Sequence, residues 1–283
     1  MTEMPSAVLS IDFESFAHTP AYRSASGSIP NPEDVGPGTM DRLLSTLDSH
    51  DADATFFVVS EVAQRNPERI VAAAEAGHEI ASHTHTHPLL TDCTPEQRRE
   101  ELVRSREVLQ SVTGATVDGF RAPAFDFRDD HFQLLADAGY SYDSSVAPCR
   151  SIPGWYGGEW DVHEPTPASV LQKGAPESLT ELPIAVMPGL GLPLTGTWIR
   201  FFGVRYTLLG MKLLARRGIT PVLYVHPWEL ATLPTVEGVP KRVYVRTGAW
   251  MWRAIERILA SDFAFVTAGD VVEEATPPAG RQR

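Results

Sequence analysis

Two carboxylates close the first apolar run of the chain and have a spacing suited to chemistry. Residues 10–14 read Ser-Ile-Asp-Phe-Glu, which places Asp12 and Glu14 two positions apart. Residues two apart on a strand point to the same side, and the carboxyl ends of barrel strands are where enzymes of that fold keep catalytic groups. Taken alone, the pair is more typical of a strand that runs out into a polar loop.

A group of histidines follows another short apolar run. His83, His85 and His87 alternate with threonines just past residues 79–82, and His78 precedes that run. One helical turn would bring His83 and His87 to one face, where two neutral imidazoles can share a metal ion. We expect His85 to face elsewhere and His78 to be structural. Two histidines and one carboxylate would leave coordination sites open for water and substrate, which is typical of catalytic metal sites.

Four further polar side chains stand at or near the ends of predicted strands. They are Arg121, Asp143, His226 and, three residues beyond that histidine, Glu229. An arginine at a strand end can hold a carboxylate through a bidentate pair. Each signal is weak by itself, because a lone arginine usually lies on the surface and a strand-end histidine is often structural.

Short apolar runs that alternate with longer amphipathic stretches must position these residues. Runs without polar alternation predict strands buried on both faces, at residues 8–13, 54–59, 79–82, 119–121, 141–143, 182–186, 221–225 and 263–267. Apolar residues at helical spacing predict helices at 40–48, 61–76 and 95–112. The alternation indicates an α/β protein with a mainly parallel sheet and outer helices, and seven or eight such units favour a barrel.

Local signals mark the ends of several elements. Residues 94–97, Thr-Pro-Glu-Gln, have the form of a helix capping box with proline at the first helical position. Gly77 and Gly114 lie where helix stops are expected. Residues 17–38 and 147–180 are rich in glycine and proline and predict a loop and an irregular insertion.

The overall composition excludes some classes of protein and favours others. The 283 residues carry a formal net charge of −12, which argues against general nucleic-acid binding. Two cysteines, Cys93 and Cys149, stand in no ligand-like spacing and predict reduced thiols. Neither a signal peptide nor an uninterrupted apolar run of about 18 residues is evident, so the sequence predicts a cytoplasmic protein. No pattern predicts an oligomeric state.

One stretch departs from the acidic average. Residues 182–228 contain no acid. The same stretch holds apolar and aromatic side chains between 198 and 209 and five cations, Arg200, Arg205, Lys212, Arg216 and Arg217. We favour an outer barrel helix with a basic exposed face. The alternative is that residues 198–217 contact an anionic membrane surface and present the site to a lipid-linked sugar.

Together, the strand-end residues resemble the polysaccharide deacetylase family, also called carbohydrate esterase family four or the NodB-homology family. The resemblance covers residues 7–270 and is strongest over 54–145, where Ala-Thr-Phe-Phe-Val at 54–58 and Gly-His-Glu-Ile-Ala-Ser-His at 77–83 match the family pattern. The D-x-E first motif and the late His-Pro-Trp-Glu at 226–229 are most similar to bacterial exopolysaccharide, exosortase-associated deacetylases.

The resemblance implies a fold and a role for each matching residue. The implied fold is a single distorted (β/α) barrel of seven to eight units over residues 7–272, with an insertion near 147–180 and a polar tail at 273–283. The implied metal ligands are Glu14, His83 and His87. The implied catalytic residues are Asp12 as base, Arg121 as the group that orients the base, and His226 as acid.

Two departures from the family pattern leave a question open. The commonest first motif has adjacent aspartates, whereas Asp12 and Glu14 are two apart, as in the D-x-E branch. The fourth motif usually continues into an Asp-Trp pair, and residues 146–147 are Val-Ala here. The partner that orients His226 is therefore open between Asp143 and Glu229.

The expected activity is metal-dependent removal of an N-acetyl group from an amino sugar in a polysaccharide, an oligosaccharide or a lipid-linked glycan. Zinc is the first expectation for the divalent metal, and cobalt, nickel or manganese also fit two imidazoles and a carboxylate. One alternative is a deformylase or another amide hydrolase on the same fold. A lower-ranked alternative is an inactive glycan-binding protein, which would be expected to lose a ligand or the acid and base, yet every such position is filled.

Overall fold

The structure is a computed structural model, which describes residues 4–151, 157–158 and 160–276. Strands β1 to β9 in these ranges are, in chain order, Ser6–Phe13, Thr55–Val58, Glu79–Ser82, Gly119–Phe120, Tyr142–Asp143, Thr166–Pro167, Thr180–Glu181, Val222–Val225 and Ala264–Phe265. They form one sheet in the order β6-β7-β5-β4-β3-β2-β1-β8, and β9 pairs with the start of β1. All of these pairs are parallel except β6 with β7.

The sheet curls into a half-barrel whose open side is bridged after β7. Leu182 donates its N–H to Asp143 O of β5 at 2.7 Å, and Ala185 donates to the O of Val222, the first residue of β8, at 2.8 Å. The predicted distorted barrel in a single domain is confirmed. The predicted strand at 182–186 is wrong, because those amides go to irregular partners and the regular strand is β7, Thr180–Glu181. The short strand β6 was not predicted.

Helices lie mostly outside the sheet. Helices α1 to α12 in the described ranges are Pro20–Arg23, Met40–Asp48, Ser60–Arg65, Pro67–Glu75, Pro95–Thr113, His131–Asp137, Ala168–Leu171, Gly196–Phe202, Val204–Ala215, Pro227–Leu230, Ala249–Leu259 and Ala268–Ala275. Single 3₁₀ turns occur at Phe16–His18, Pro32–Asp34, Pro37–Thr39, Leu90–Asp92, Pro123–Phe125 and Lys241–Tyr244. Across the described ranges, every helix is too short or too polar to span a membrane.

Helix boundaries follow local chemistry. Helix α5 begins at the predicted capping box, in which Gln97 N–H donates to Thr94 Oγ1 at 3.3 Å and Thr94 N–H donates to Gln97 Oε1 at 2.8 Å. It ends at Gly114, whose φ of 70° favours glycine. The single helix predicted at 61–76 is two helices, since Pro67 cannot donate a backbone hydrogen bond and restarts the chain as α4.

The two irregular stretches are only partly irregular. Residues 17–38 contain α1 and short 3₁₀ turns, and the stretch 147–180 contains β6 and α7. Residues 152–156 and 159 of the predicted insertion lie outside the described residues. The predicted tail at 273–283 overlaps the end of α12, and its residues 277–283 lie outside the described residues as well.

Strand β1 shows how the sheet positions polar groups. Its residues 7–13 are all buried, and the face that carries Val8, Ser10 and Asp12 points into the barrel. Val8 packs with Phe57 and with Val271 of α12, which closes the amino-terminal end of the barrel. Asp12 is near the carboxyl-terminal end of β1. Apolar side chains fill the other end of the barrel, so a site has room only at the end where Asp12 lies.

Candidate active site

Three predicted ligands meet at the carboxyl-terminal end of the barrel. Ligand-type atoms of Glu14, His83 and His87 all lie within 4.8 Å of one another, and all three residues are buried. Glu14 directly follows β1, and the two histidines follow β3. Strands β1 and β3, which lie on either side of β2, thus bring together side chains from two distant parts of the sequence.

The donor set fits a divalent cation. His83 Nδ1 lies 2.7 Å from Arg121 O, and because a carbonyl only accepts hydrogen bonds, Nδ1 carries the proton and Nε2 keeps its lone pair. Glu14 Oε2 is buried and accepts no hydrogen bond, although it lies 2.8 Å from His87 Nε2. A backbone carbonyl behind a ligating imidazole is the usual support for a metal ligand.

The protonation states of the cluster also suit a cation. Burial raises the pKa of Glu14, but the charges of His87 and His226 outweigh it and hold that pKa well below its usual range. Burial lowers the pKa of His83 to about 4. The charged carboxylate of Glu14 and the neutral imidazole of His83 are the forms in which these two groups bind a divalent metal.

The two histidines are not joined by the predicted helical turn. Thr84 and His87 have positive φ angles of 66° and 60°, and the chain between them is an irregular loop. Glu101 of α5 fixes this loop, since its Oε2 accepts the His85 and Thr86 N–H groups, each at 2.8 Å. The prediction of a helical turn was wrong because a distant carboxylate holds a strained loop that still brings the imidazole centroids to 4.9 Å.

The other two histidines of this region lie apart from the cluster. His85 Nδ1 lies 2.7 Å from Ser60 Oγ, on the side that faces α3. His78 precedes β3 at the opposite end of the barrel, where its ring lies 5.7 Å from that of Phe56. Both placements match the expectation that neither is a ligand.

Asp12 is held by a fully buried arginine. Arg121 Nη1 donates to Asp12 Oδ1 at 2.7 Å and to Ser10 Oγ at 2.8 Å. The rest of the guanidinium donates to Ser144, through Nε to its carbonyl at 3.0 Å and through Nη2 to its hydroxyl at 2.8 Å. The expected bidentate pair is a single bond, because the remaining guanidinium nitrogens serve Ser10 and Ser144.

His226 reaches the cluster from the far side, just after β8. Its Nε2 lies 3.9 Å from Glu14 Oε1, and its ring stacks on Trp228 with centroids 5.1 Å apart. Its Nδ1 lies 3.2 Å from Glu229 Oε2. Burial lowers the pKa of His226, but the hydrogen bond and charge of Glu229 outweigh it and raise the pKa to about 9.

The structure separates the two residues considered as the partner of His226. Asp143 is engaged elsewhere, with its Oδ2 2.9 Å from His131 Nε2 and its Oδ1 accepting from Ser145 at 2.5 Å. Glu229 is the carboxylate that contacts His226. The proximity of Glu229 follows from helix α10, whose first turn brings residue 229 back over residue 226.

Sequence reasoning missed three residues around the cluster. Trp228 donates its indole N–H to Glu14 Oε1 at 3.1 Å. His18 is buried with its ring 5.5 Å from that of His87, and Arg200 lies behind Glu229. The late His-Pro-Trp-Glu motif already contained Trp228, whereas no spacing in the sequence marks His18 or Arg200.

A cavity of about 730 Å³ opens over the cluster. Glu14 and His226 lie in its wall. Several aromatic side chains also line the cavity, namely Phe125, Phe127, Trp160, Phe201, Tyr224 and Trp228. Aromatic walls with a few convergent polar groups are typical of a small-molecule or sugar site.

Comparison with known families shows which proteins the chain resembles. Residues 32–142 match the family model of polysaccharide deacetylases, and residues 144–273 match a domain of unknown function, DUF3473. Over residues 32–142, the chain is similar to polysaccharide deacetylases. The candidate site draws on three parts of the chain, since the acid pair precedes both matched spans, His83 and Arg121 lie in the first, and His226 lies in the second.

Two proteins that are similar to part of this chain have names that describe deacetylases. A chitooligosaccharide deacetylase of Sinorhizobium fredii is 36% identical over 98 residues, which cover 34% of this chain and 46% of that protein. A peptidoglycan-N-acetylglucosamine deacetylase of Bacillus cereus is 30% identical over 99 residues, 35% of this chain and 36% of that protein. The chain therefore spans less than half the length of these curated relatives.

A solved structure extends the likeness to the whole chain. A protein from Mycobacterium smegmatis that is assigned as a polysaccharide deacetylase has a TM-score of 0.61, is 24% identical and covers 99% of both chains. At that identity, the likeness shows the fold alone.

Proposed function

We propose that the protein is a metal-dependent hydrolase that removes the N-acetyl group from an amino sugar, with Asp12 as base and His226 as acid. The observation that carries the proposal is one buried ligand cluster reached by two separately supported groups, Asp12 held by Arg121 and His226 held by Glu229. The two relatives named for deacetylation of N-acetylated sugars support this substrate class.

Glu14, His83 and His87 would hold the metal. Zinc is the first expectation for this donor set, and cobalt, nickel or manganese fit the same ligands. When bound, the divalent cation supplies Lewis-acid chemistry, polarising the amide carbonyl and acidifying water. The metal identity and the predicted cytoplasmic location stay predictions.

Asp12 is the residue to accept a proton from the attacking water. Its carboxylate is buried at the carboxyl end of β1, and the Arg121 hydrogen bond keeps one oxygen engaged. A general base must be held within hydrogen-bond reach of the proton that it takes, which is what this fixed arginine provides.

His226 is the residue to protonate the leaving nitrogen. Because Glu229 engages Nδ1, Nε2 is the nitrogen that faces Glu14 and the cavity. We propose that the backbone N–H of Ala124 helps to stabilise negative charge on the carbonyl oxygen, because the Phe125 N–H is engaged by Ala122 O at 3.1 Å. The products are acetate and a free amino sugar.

Acetate release tests this proposal. We would incubate purified protein with N-acetylglucosamine oligomers before chelation, after chelation and after zinc replacement. The expected result is acetate that disappears on chelation and returns with zinc. Formate from N-formylated sugars, without acetate from acetylated ones, would favour the deformylase alternative. Metal bound at one equivalent with no product from any sugar or other amide would favour the inactive glycan-binding protein.

An exposed stripe beside the cavity supports a lipid-linked substrate as a further part of the proposal. The stripe consists of exposed residues: Phe202 at the end of α8, Arg205, Leu209 and Lys212 at helical spacing along α9, and Arg216 at its C-cap. Phe202 and Leu209 are 51% and 54% exposed. None of the three cations forms an ion pair with any described residue. A cationic stripe with exposed apolar side chains suits an anionic lipid surface.

The structure changes which of the five cations between residues 200 and 217 can contact a membrane. Arg200, counted among the five cations of the stretch, is only 2% exposed and pairs with Glu229. Helix α9 packs its other face against the barrel through Met211 and Leu214, as expected for an outer helix with a basic face. Thr197 and Phe201 on α8 line the cavity, so the stripe begins at the rim of the site.

Flotation with vesicles tests the membrane contact. We expect salt-sensitive binding to phosphatidylglycerol vesicles, little binding to phosphatidylcholine vesicles, and loss of binding in the double variant Lys212→Glu, Arg216→Glu. The matched control is Arg253→Glu, Arg257→Glu, which changes the same charge on the exposed face of α11. Equal binding by both double variants, or no binding by the parent protein, would overturn the membrane contact and leave the deacetylase proposal intact.

A further inference from the structure

We infer that Arg200 and Glu229 form a positioning pair that fixes the imidazole of His226 for proton donation. The inference rests on the proposed function, in which His226 is the general acid. It adds a residue, 26 positions before His226 in the chain, that no family motif in the sequence marked.

The pair is almost completely removed from solvent, and Arg200 lies at the wall of the cavity. Arg200 Nε donates to Glu229 Oε1 at 2.7 Å, and the two side chains are 2% and 0% exposed. Arg200 Nη1 also donates to the carbonyls of Val243 and Val245, at 2.8 and 3.0 Å. With these acceptors on a separate segment, the guanidinium is held from several sides and cannot follow a moving carboxylate.

The second oxygen of Glu229 reaches His226 twice. Oε2 accepts the His226 backbone N–H at 3.0 Å and lies 3.2 Å from Nδ1 of the same residue. A carboxylate only accepts hydrogen bonds, so Nδ1 carries a proton and the ring cannot flip without losing that bond. The orientation of Nε2 toward the cavity is therefore set by Glu229, and the orientation of Glu229 by Arg200.

Gly196 shows that the fold makes room for this carboxylate. A Cβ at position 196 would lie 1.9 Å from Glu229 Oε2 and 2.6 Å from its Cδ. The backbone of Gly196 is not in the left-handed region, so glycine is needed here for space and not for its conformation. Any larger residue must push Glu229 away from His226 or from Arg200.

Leaving-group chemistry separates positioning of an acid from general damage to the site. Loss of proton donation slows cleavage of an acetamide, whose amine leaves only with a proton. The same loss matters little for p-nitrophenyl acetate, because nitrophenolate leaves as a stable anion. A residue with a merely structural role would change both reactions together.

The test compares zinc-loaded variants on N-acetylglucosamine oligomers and on p-nitrophenyl acetate. We expect Arg200→Met and Gly196→Ala to lower kcat for the amide about 10-fold to 100-fold, which is less than the roughly 10²–10⁴-fold that a general acid contributes, because the acid itself remains. KM for the amide and turnover of the ester should change little. Arg200→Lys should recover part of the loss, because an ammonium can still pair with Glu229.

Arg246→Met is the matched control. Arg246 Nη1 donates to the carbonyl of Arg200 at 3.0 Å and supports the same helix without touching Glu229. We expect both of its activities to match the parent protein. Thermal melts accompany every variant, and Gly196→Ala, which disturbs Glu229 from the opposite side, decides the result if Arg200→Met does not fold.

Two results would overturn the inference. In one, the pair variants lose amide and ester turnover equally; in the other, they lose neither. His226→Ala distinguishes this failure from failure of the proposed function. If His226→Ala loses amide turnover and keeps ester turnover, but the variants of Arg200 and Gly196 do not show this selectivity, only the positioning role is wrong. If His226→Ala itself shows no such selectivity, the proposed acid is wrong.

Discussion

The candidate site has two flanks, the base flank around Asp12 and the acid flank around His226. Each contains a buried arginine, which contacts the proposed base directly and the proposed acid only through a carboxylate. On the first flank, buried Arg121 bonds directly to Asp12, the proposed base. On the second, buried Arg200 bonds to Glu229, which in turn contacts His226, the proposed acid. The base needs to stay an anion, so an arginine beside it suffices. The acid needs a proton on a fixed nitrogen, so a carboxylate stands between it and the arginine.

The arginines also differ in what their loss would leave behind. Without Arg121, Asp12 would keep no charged partner among its recorded contacts. Without Arg200, Glu229 would keep the backbone N–H and the imidazole of His226. The comparison therefore predicts unequal costs for two substitutions that look alike in the sequence.

The largest effect should come from removing the proposed acid. His226→Ala should lower kcat for acetamide hydrolysis by about 10²–10⁴ while leaving metal content at the parent level, because His226 supplies a proton and is not one of the three ligands. Rate assays with metal analysis by mass spectrometry check this. Near-parent turnover would assign the proton donor to another residue.

Arg121→Met should destabilise the fold by about 3–5 kcal/mol, because it strands a buried carboxylate. Arg200→Met should cost less, since Glu229 keeps its bonds to His226. Urea denaturation of the two variants beside the parent protein gives both values. Equal costs would show that the two flanks do not differ in the way that the contacts indicate.

Glu101→Gln should weaken metal binding by about 10-fold, a typical effect of a residue that orients a ligand. Its carboxylate holds the loop between His83 and His87 through charged hydrogen bonds, which the amide only partly replaces. Zinc titration against a competing chelator measures the change. Glu100→Gln, an exposed neighbour on the same helix, is the control and should bind zinc as the parent does.

Glu229→Gln should shift the pH dependence of activity, in addition to any loss of positioning that the variants of Arg200 and Gly196 show. Glu229 is the main group that raises the pKa of His226, and an amide loses most of that charge effect. The acid must be protonated, so activity falls as pH rises through its pKa, and the variant should lose activity at lower pH than the parent protein. A pH profile of kcat shows the alkaline limb. If the alkaline limb of the variant lies at the same pH as that of the parent protein, the limb reports a group other than His226.

The sequence predicted the base flank better than the acid flank. Asp12, Arg121 and the ligands stand at strand ends, and parallel strands bring their carboxyl ends to one edge of the barrel. Predictions of helix α2 and of the capping box of α5 also hold, because propensity and caps are local.

Features that depend on distant side chains escaped sequence reasoning. The loop that carries His87 was predicted as a helical turn, since nothing nearby shows that Glu101 would hold it open. Arg200 stood among five cations, and charge alone does not reveal which of them points inward. The single helix predicted at 61–76 ignored the break that Pro67 imposes. Each case is a tertiary contact or backbone restriction that overrides a local pattern.

The most direct test of the account separates the base from a ligand two residues away. We would prepare Asp12→Asn and Glu14→Gln, load both with zinc, and measure bound metal and acetate release from N-acetylglucosamine oligomers. The account predicts that Asp12→Asn keeps one equivalent of zinc and releases no acetate, whereas Glu14→Gln loses zinc and activity together. Acetate release by zinc-loaded Asp12→Asn at the parent rate would contradict the central claim.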